Sequence, residues 1–68
     1  MTVQDLLDRA EADMAKNPAF PWHAVLLNAL YHLEPKICAK IVGTEYDPFF
    51  KPERIESFLK RVEELLKE

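Results

Sequence analysis

Glycine and cysteine are almost absent from this sequence of 68 residues, which contains one of each. Phosphate-binding loops of the GxGxxG or Walker A type need several glycines, so these nucleotide-binding motifs are excluded. Cys38 has no partner for an internal disulfide, and a small chain without disulfides is typical of a reducing compartment. We therefore expect a cytoplasmic protein.

Long apolar runs and basic segments are also missing. The longest uninterrupted apolar run covers residues 24–27, whereas about 20 residues are needed to cross a bilayer. The first residues are acidic where a signal peptide would be basic, so we expect neither a membrane span nor export. Nine Lys and Arg stand against twelve Asp and Glu, giving an acidic chain of net charge −3 that repels phosphate backbones. Nucleic-acid binding is accordingly disfavoured.

Few residues are available for catalysis or metal binding. His23, His32 and Cys38 are the only imidazole or thiol groups, and no CxxC or HExxH spacing occurs. His32 and Cys38 are the one conceivable base and nucleophile, but Cys38 lies in an apolar stretch, where a free cysteine is usually a small core residue. We predict a protein that is not an enzyme and that has no metal, no cofactor and no small-molecule substrate.

Helical patterns cover most of the chain. Thr2 and Asp5 have the spacing of a capping box at a helix start, and Gly43 is typical of a helix end in the left-handed conformation. Apolar residues recur at helical spacing elsewhere, and no alternating strand pattern occurs. The sequence predicts an all-α fold, a compact small bundle of three main helices plus one short helix in a single domain, residues 1–68. The predicted helices are 2–16, 21–33, 35–42 and 52–67.

One segment resembles the first helix and turn of a helix-turn-helix protein. In residues 37–43, Ala39 lies four positions before Gly43, as the close crossing of two helices in that motif requires. The next segment departs from the pattern, because Pro48 and Pro52 interrupt the helix that would enter the DNA groove. The alternative function is therefore a small DNA-binding regulator that uses residues 35–60.

Apolar and aromatic side chains exceed what so small a core is expected to hold, since a chain of this size buries only about 60% of its unfolded surface. The helix at 21–33 is apolar on two faces, and aromatic residues crowd the connector after Gly43. Our first hypothesis is a non-catalytic protein–protein interaction module that binds a protein partner or a second copy as a homodimer. By analogy of size alone, it fits phage or bacterial accessory factors that modulate a larger protein. The predicted partner-binding residues are Ala24, Leu27, Tyr31, Tyr46, Phe49 and Phe50.

Overall fold

Helices account for all the regular structure. The computed structural model describes all 68 residues and contains no strand. It confirms the predicted all-α bundle of three main helices and one short helix. A 3-10 turn over Pro52–Arg54 precedes the last helix, where the sequence predicted a continuous α-helix. The helices are α1 (Val3–Lys16), α2 (Trp22–Leu33), α3 (Pro35–Ile41) and α4 (Ile55–Leu66).

Local hydrogen bonds and backbone conformation mark the start of α1, the start of α2 and the end of α3. At the start of α1, the Thr2 hydroxyl accepts from the Asp5 N–H at 3.1 Å and the Asp5 carboxylate accepts from the Thr2 N–H at 2.8 Å, so the capping box is confirmed. Pro21 is extended, and α2 begins one residue later than predicted. Gly43 follows α3 with a φ of +80°, a value that glycine adopts without steric cost.

The core forms around α2, which is enclosed by its neighbours. α1 packs against one side of α2, and α3 folds back against another side after a sharp corner at Glu34. α4 closes the bundle through contacts with α1 and α3. All four helices contribute fully buried side chains, the largest of which are Phe58, Leu6, Leu26, Leu30, Ile41 and Val62.

The second apolar face of α2 is not free for a partner, contrary to the expectation. Ala24 and Leu27 are only 6% and 7% exposed. The Leu27 carbonyl accepts a hydrogen bond from the Cys38 thiol of α3 at 3.9 Å, so α3 lies against this face at Leu27. The pattern on α2 therefore reflects an internal contact between helices.

The total surface shows no general excess of exposed area. A monomeric globular protein of 7.9 kDa is expected to have about 4,400 Å² of accessible surface. This chain has 4501 Å². No helix combines the length and the apolar character that crossing a membrane requires. The large apolar side chains that are exposed are Met1, Phe20, Tyr31, Val42 and Phe50.

Candidate partner-binding site

The six predicted partner-binding residues do not form one surface. Ala24 and Leu27 are buried, as described above, while Tyr46 and Phe49 are half-buried and pack against the core. Only Tyr31 and Phe50 are largely exposed, at 60% and 84%. Tyr31 lies on α2, where its ring contacts His32 edge-on. Phe50 lies in the segment between α3 and the 3-10 turn. Of the predicted binding residues in this segment, Phe50 is the one whose ring is exposed to solvent.

The connector, defined as residues 42–51, is organised by Asp47. One oxygen of its carboxylate accepts from the Gly43 N–H at 2.9 Å, and the other accepts from the Phe49 N–H at 2.9 Å. The Lys51 N–H donates to the Pro48 carbonyl at 3.0 Å, which closes a single turn. A short carboxylate thus satisfies backbone donors on both sides of the turn and fixes its shape.

Thr44 and Arg54 join the connector to the helices on either side. The Thr44 hydroxyl donates to the Ile41 carbonyl at the end of α3 and accepts from the Tyr46 N–H at 3.2 Å. The Arg54 guanidinium donates to the carbonyls of Thr44 and Asp47, both at 3.3 Å. The sequence analysis did not identify these two residues. Their partners are backbone groups, which leave no pattern in the sequence.

Two aromatic side chains attach the connector to the core. The ring of Tyr46 packs against the core, and the Arg61 guanidinium lies 5.7 Å from its centroid, within the range of a cation–π contact. Phe49 also packs against the core and supports the Phe50 ring, with centroids 4.8 Å apart and planes at 82°. The edge-to-face contact with Phe49 supports one side of the Phe50 ring, and 84% of the residue remains exposed.

The charged groups around Phe50 are of both signs. Phe50 shares a shallow concavity of about 160 Å³ with Asp47, Lys51 and Arg54. The Asp47 carboxylate accepts from two backbone N–H groups and the Arg54 guanidinium donates to two backbone carbonyls. Lys51 is exposed, so its ammonium group is the charge beside the ring that a partner can reach.

Cys38 lacks the environment of a nucleophile. The residue is 2% exposed, and burial, with a smaller contribution from the negative charge of Asp47, raises the pKa of its thiol. A protonated thiol is a poor nucleophile at neutral pH. Its hydrogen bond goes to the Leu27 carbonyl, whereas the ring of His32 contacts Tyr31. No three His, Cys, Asp or Glu side chains lie together as metal ligands would.

The region around Gly43 does not have helix-turn-helix geometry. Thirteen residues separate α3 from α4, whereas the motif joins its helices by a turn of about three or four. Ala39, which would lie at the crossing of the two helices, faces solvent. The structure therefore gives no support to the alternative that residues 35–60 bind DNA through a helix-turn-helix.

A second concavity, of about 370 Å³, lies between α1 and α2. Arg9 and Asp13 form an ion pair at 3.1 Å on one wall, and Asn28 and His32 lie on the other. The exposed ring of Phe20 closes one end. Its lining is mostly polar with balanced charge, so it lacks the apolar centre that marks a protein-binding site.

Comparison of the chain with protein-family profiles, with curated proteins and with solved structures finds no match.

Proposed function

We propose that this protein is a non-catalytic protein–protein interaction module, and that its connector binds a partner by inserting Phe50 into an apolar pocket. The observation that carries the proposal is the 84% exposure of Phe50 on a segment whose backbone is held by the Asp47 carboxylate and the Arg54 guanidinium. Flexible loops commonly expose side chains by default. Here the exposed ring belongs to a segment fixed on both sides.

A fixed aromatic ring is an efficient anchor. Association costs about 0.5–1.5 kcal/mol for each side chain that must be immobilised, and a large part of this cost is avoided when the ring is already held. Aromatic residues at the centre of an interface commonly contribute about 2 kcal/mol or more. The edge-to-face contact with Phe49 supplies this support. We therefore expect Phe50 to dominate the binding energy.

The exposed charge beside the ring indicates the chemistry of the partner. Lys51 is exposed beside Phe50, whereas Asp47 and Arg54 of the same concavity are bonded to backbone groups. Cationic groups at the rim of an interface accelerate association with an acidic partner and make it sensitive to salt. The proposed partner surface is an apolar pocket bordered by Asp or Glu.

We place this activity in the cytoplasm, and the state of Cys38 is consistent with that. The thiol is free and buried, and its environment raises its pKa. Such a thiol is suited to a structural role in a reducing compartment. By size and helical architecture, the proposed role is that of an accessory factor, of the kind phages and bacteria use, that modulates a larger protein.

Affinity purification of the tagged chain from its native cells tests the proposal. Phe50→Ala removes the anchor, and Phe20→Ala is the matched control because Phe20 is also exposed, at 58%, but lies at the α1–α2 groove. We expect a stoichiometric companion with the wild type and with Phe20→Ala, and its loss with Phe50→Ala. Equal recovery with both variants would refute the role of the connector.

A further inference from the structure

The α1–α2 groove, the concavity of about 370 Å³ described above, has one wall that carries both signs of charge. On this wall the Arg9 Nε atom lies 3.1 Å from the Asp13 Oδ1 atom. The contact leaves the two terminal guanidinium nitrogens of Arg9 and the second carboxylate oxygen of Asp13, Oδ2, available to a ligand. A guanidinium edge binds a carboxylate through two parallel hydrogen bonds, and a carboxylate oxygen accepts from an ammonium group. This wall can therefore bind an anionic and a cationic group side by side.

The opposite wall of the groove supplies neutral hydrogen-bonding groups. Asn28 and His32 lie one turn apart on α2, and both line the groove. A side-chain amide donates and accepts hydrogen bonds, and a neutral imidazole also has one donor and one acceptor. These two side chains can complete the hydrogen bonding of a polar group that α1 binds.

The groove is apolar toward the loop that joins the two helices. The exposed Phe20 ring closes this end, and Val25, which is only 5% exposed, also lines it. The Asn17 N–H donates to the Asp13 carbonyl at 3.0 Å, and the Asn17 carbonyl accepts from the Phe20 N–H at 3.2 Å. These two bonds fix the turn that carries the ring. The groove thus combines an apolar end with a few polar groups, as small-molecule sites do.

We propose that the α1–α2 groove binds a free α-amino acid with an aromatic side chain. The carboxylate of the ligand binds the terminal nitrogens of Arg9, and its ammonium group binds the Oδ2 atom of Asp13. Its side chain packs against Phe20 and Val25. This site is separate from the connector and adds a small ligand to the proposed function.

The charge and size of the groove both favour this class of ligand. A free amino acid carries its carboxylate and its ammonium group on one carbon atom, whereas a longer peptide holds its two charged ends apart. Its net charge is zero, which matches the Arg9–Asp13 pair. A cavity of about 150 Å³ binds benzene, and the groove has more than twice that volume, about 370 Å³. A phenyl ring and the backbone atoms of an amino acid therefore both fit.

Titration of the isotope-labelled chain with L-phenylalanine, followed by NMR, tests the proposal. We expect saturable shifts of the amide signals of residues that line the groove, with a Kd of about 1 mM. Phenylalaninamide lacks the carboxylate, and N-acetylphenylalanine lacks the ammonium group. Each of these two derivatives should bind about tenfold more weakly than L-phenylalanine.

Two conservative variants assign each charge of the ligand to one residue. Arg9→Gln should remove the preference for L-phenylalanine over its amide, and Asp13→Asn should remove the preference over the N-acetyl derivative. Arg61→Gln is the matched control, because Arg61 forms an ion pair with Glu64 on α4, and it should leave both preferences unchanged. Circular dichroism confirms that each variant is folded.

Three results would overturn this assignment. L-phenylalanine could cause no saturable shift up to about 10 mM, or it could shift only signals outside the groove. Equal affinity for L-phenylalanine and both derivatives would show that neither charge is bound. None of these results bears on the connector, which Phe50→Ala tests separately.

Discussion

Removing the Phe50 ring is expected to leave the stability of the fold nearly unchanged. Burying a phenylalanine completely stabilises a protein by about 1.5–3 kcal/mol. Phe50 is 84% exposed, so only about a sixth of that value, roughly 0.3–0.5 kcal/mol, is lost in Phe50→Ala. The edge contact with Phe49 adds a little. We therefore expect the free energy of unfolding to fall by less than about 1 kcal/mol.

Phe58→Ala is the matched comparison, because it removes the same side chain at a position that is 0% exposed. Truncation of a buried phenylalanine costs about 3–5 kcal/mol. A domain of 68 residues has roughly 3–10 kcal/mol of total stability, so this variant is expected to be partly or largely unfolded.

Urea denaturation followed by circular dichroism measures the free energy of unfolding of both variants. The urea concentrations at the midpoints are compared with the same dependence of that free energy on urea for all chains. The measurement is made at low protein concentration, so that self-association does not contribute. A loss above about 1.5 kcal/mol in Phe50→Ala would show that the ring supports the fold, and the argument for a binding anchor would then fail.

Three further predictions concern the connector and the core. Asp47→Ala should lower stability by about 1–2 kcal/mol and accelerate amide hydrogen exchange at Gly43 and Phe49, whose N–H groups the carboxylate accepts. Gly43→Ala should lower the free energy of unfolding by about 1 kcal/mol. The cost comes from backbone strain alone, because φ is +80° and no atom lies within 4 Å of an added Cβ. A crystal structure of the variant should show that the neighbouring residues have not moved. Burial raises the pKa of the Cys38 thiol in the folded chain. As the pH rises, the thiol therefore ionises in the unfolded chain at a lower pH than in the folded chain. The free energy of unfolding should decrease as the pH rises above about 9. Urea titrations across that range should show a shallower decrease for Cys38→Ala.

The features that sequence analysis predicted correctly are those determined within a few residues. The capping box of Thr2 and Asp5 and the left-handed conformation of Gly43 each depend on residues at most four positions apart. Such contacts follow from residue type and spacing alone. Local chemistry therefore predicted the start of α1 and the end of α3.

The second face of α2 illustrates what the sequence left open. An apolar helix face looks the same whether it meets another helix of the chain or a separate protein. The corner at Glu34 turns α3 back against Leu27 and decides between these possibilities. That decision depends on the path of the chain in three dimensions, which periodicity does not encode.

Phe49 and Phe50 pose the same problem at adjacent positions. They have identical side chains, yet Phe49 packs against the core and Phe50 is 84% exposed. The direction of the turn fixed by Asp47 determines which ring points inward. From the sequence, both residues are candidates for binding. Only the geometry of the turn shows that Phe49 supports the segment and that Phe50 is the exposed ring.

The accessible surface of the chain bears on how folding and binding are related in this protein. Its 4501 Å² is close to the area expected of a monomer of this mass, so burial within the chain does not depend on a partner. The apolar area available for binding is concentrated in a few side chains, of which Phe50 is the most exposed. Since the anchor contributes little to the fold, binding and folding are separable. Variants at Phe50 should therefore change affinity without changing stability, and variants of core residues such as Phe58 should affect binding only through unfolding.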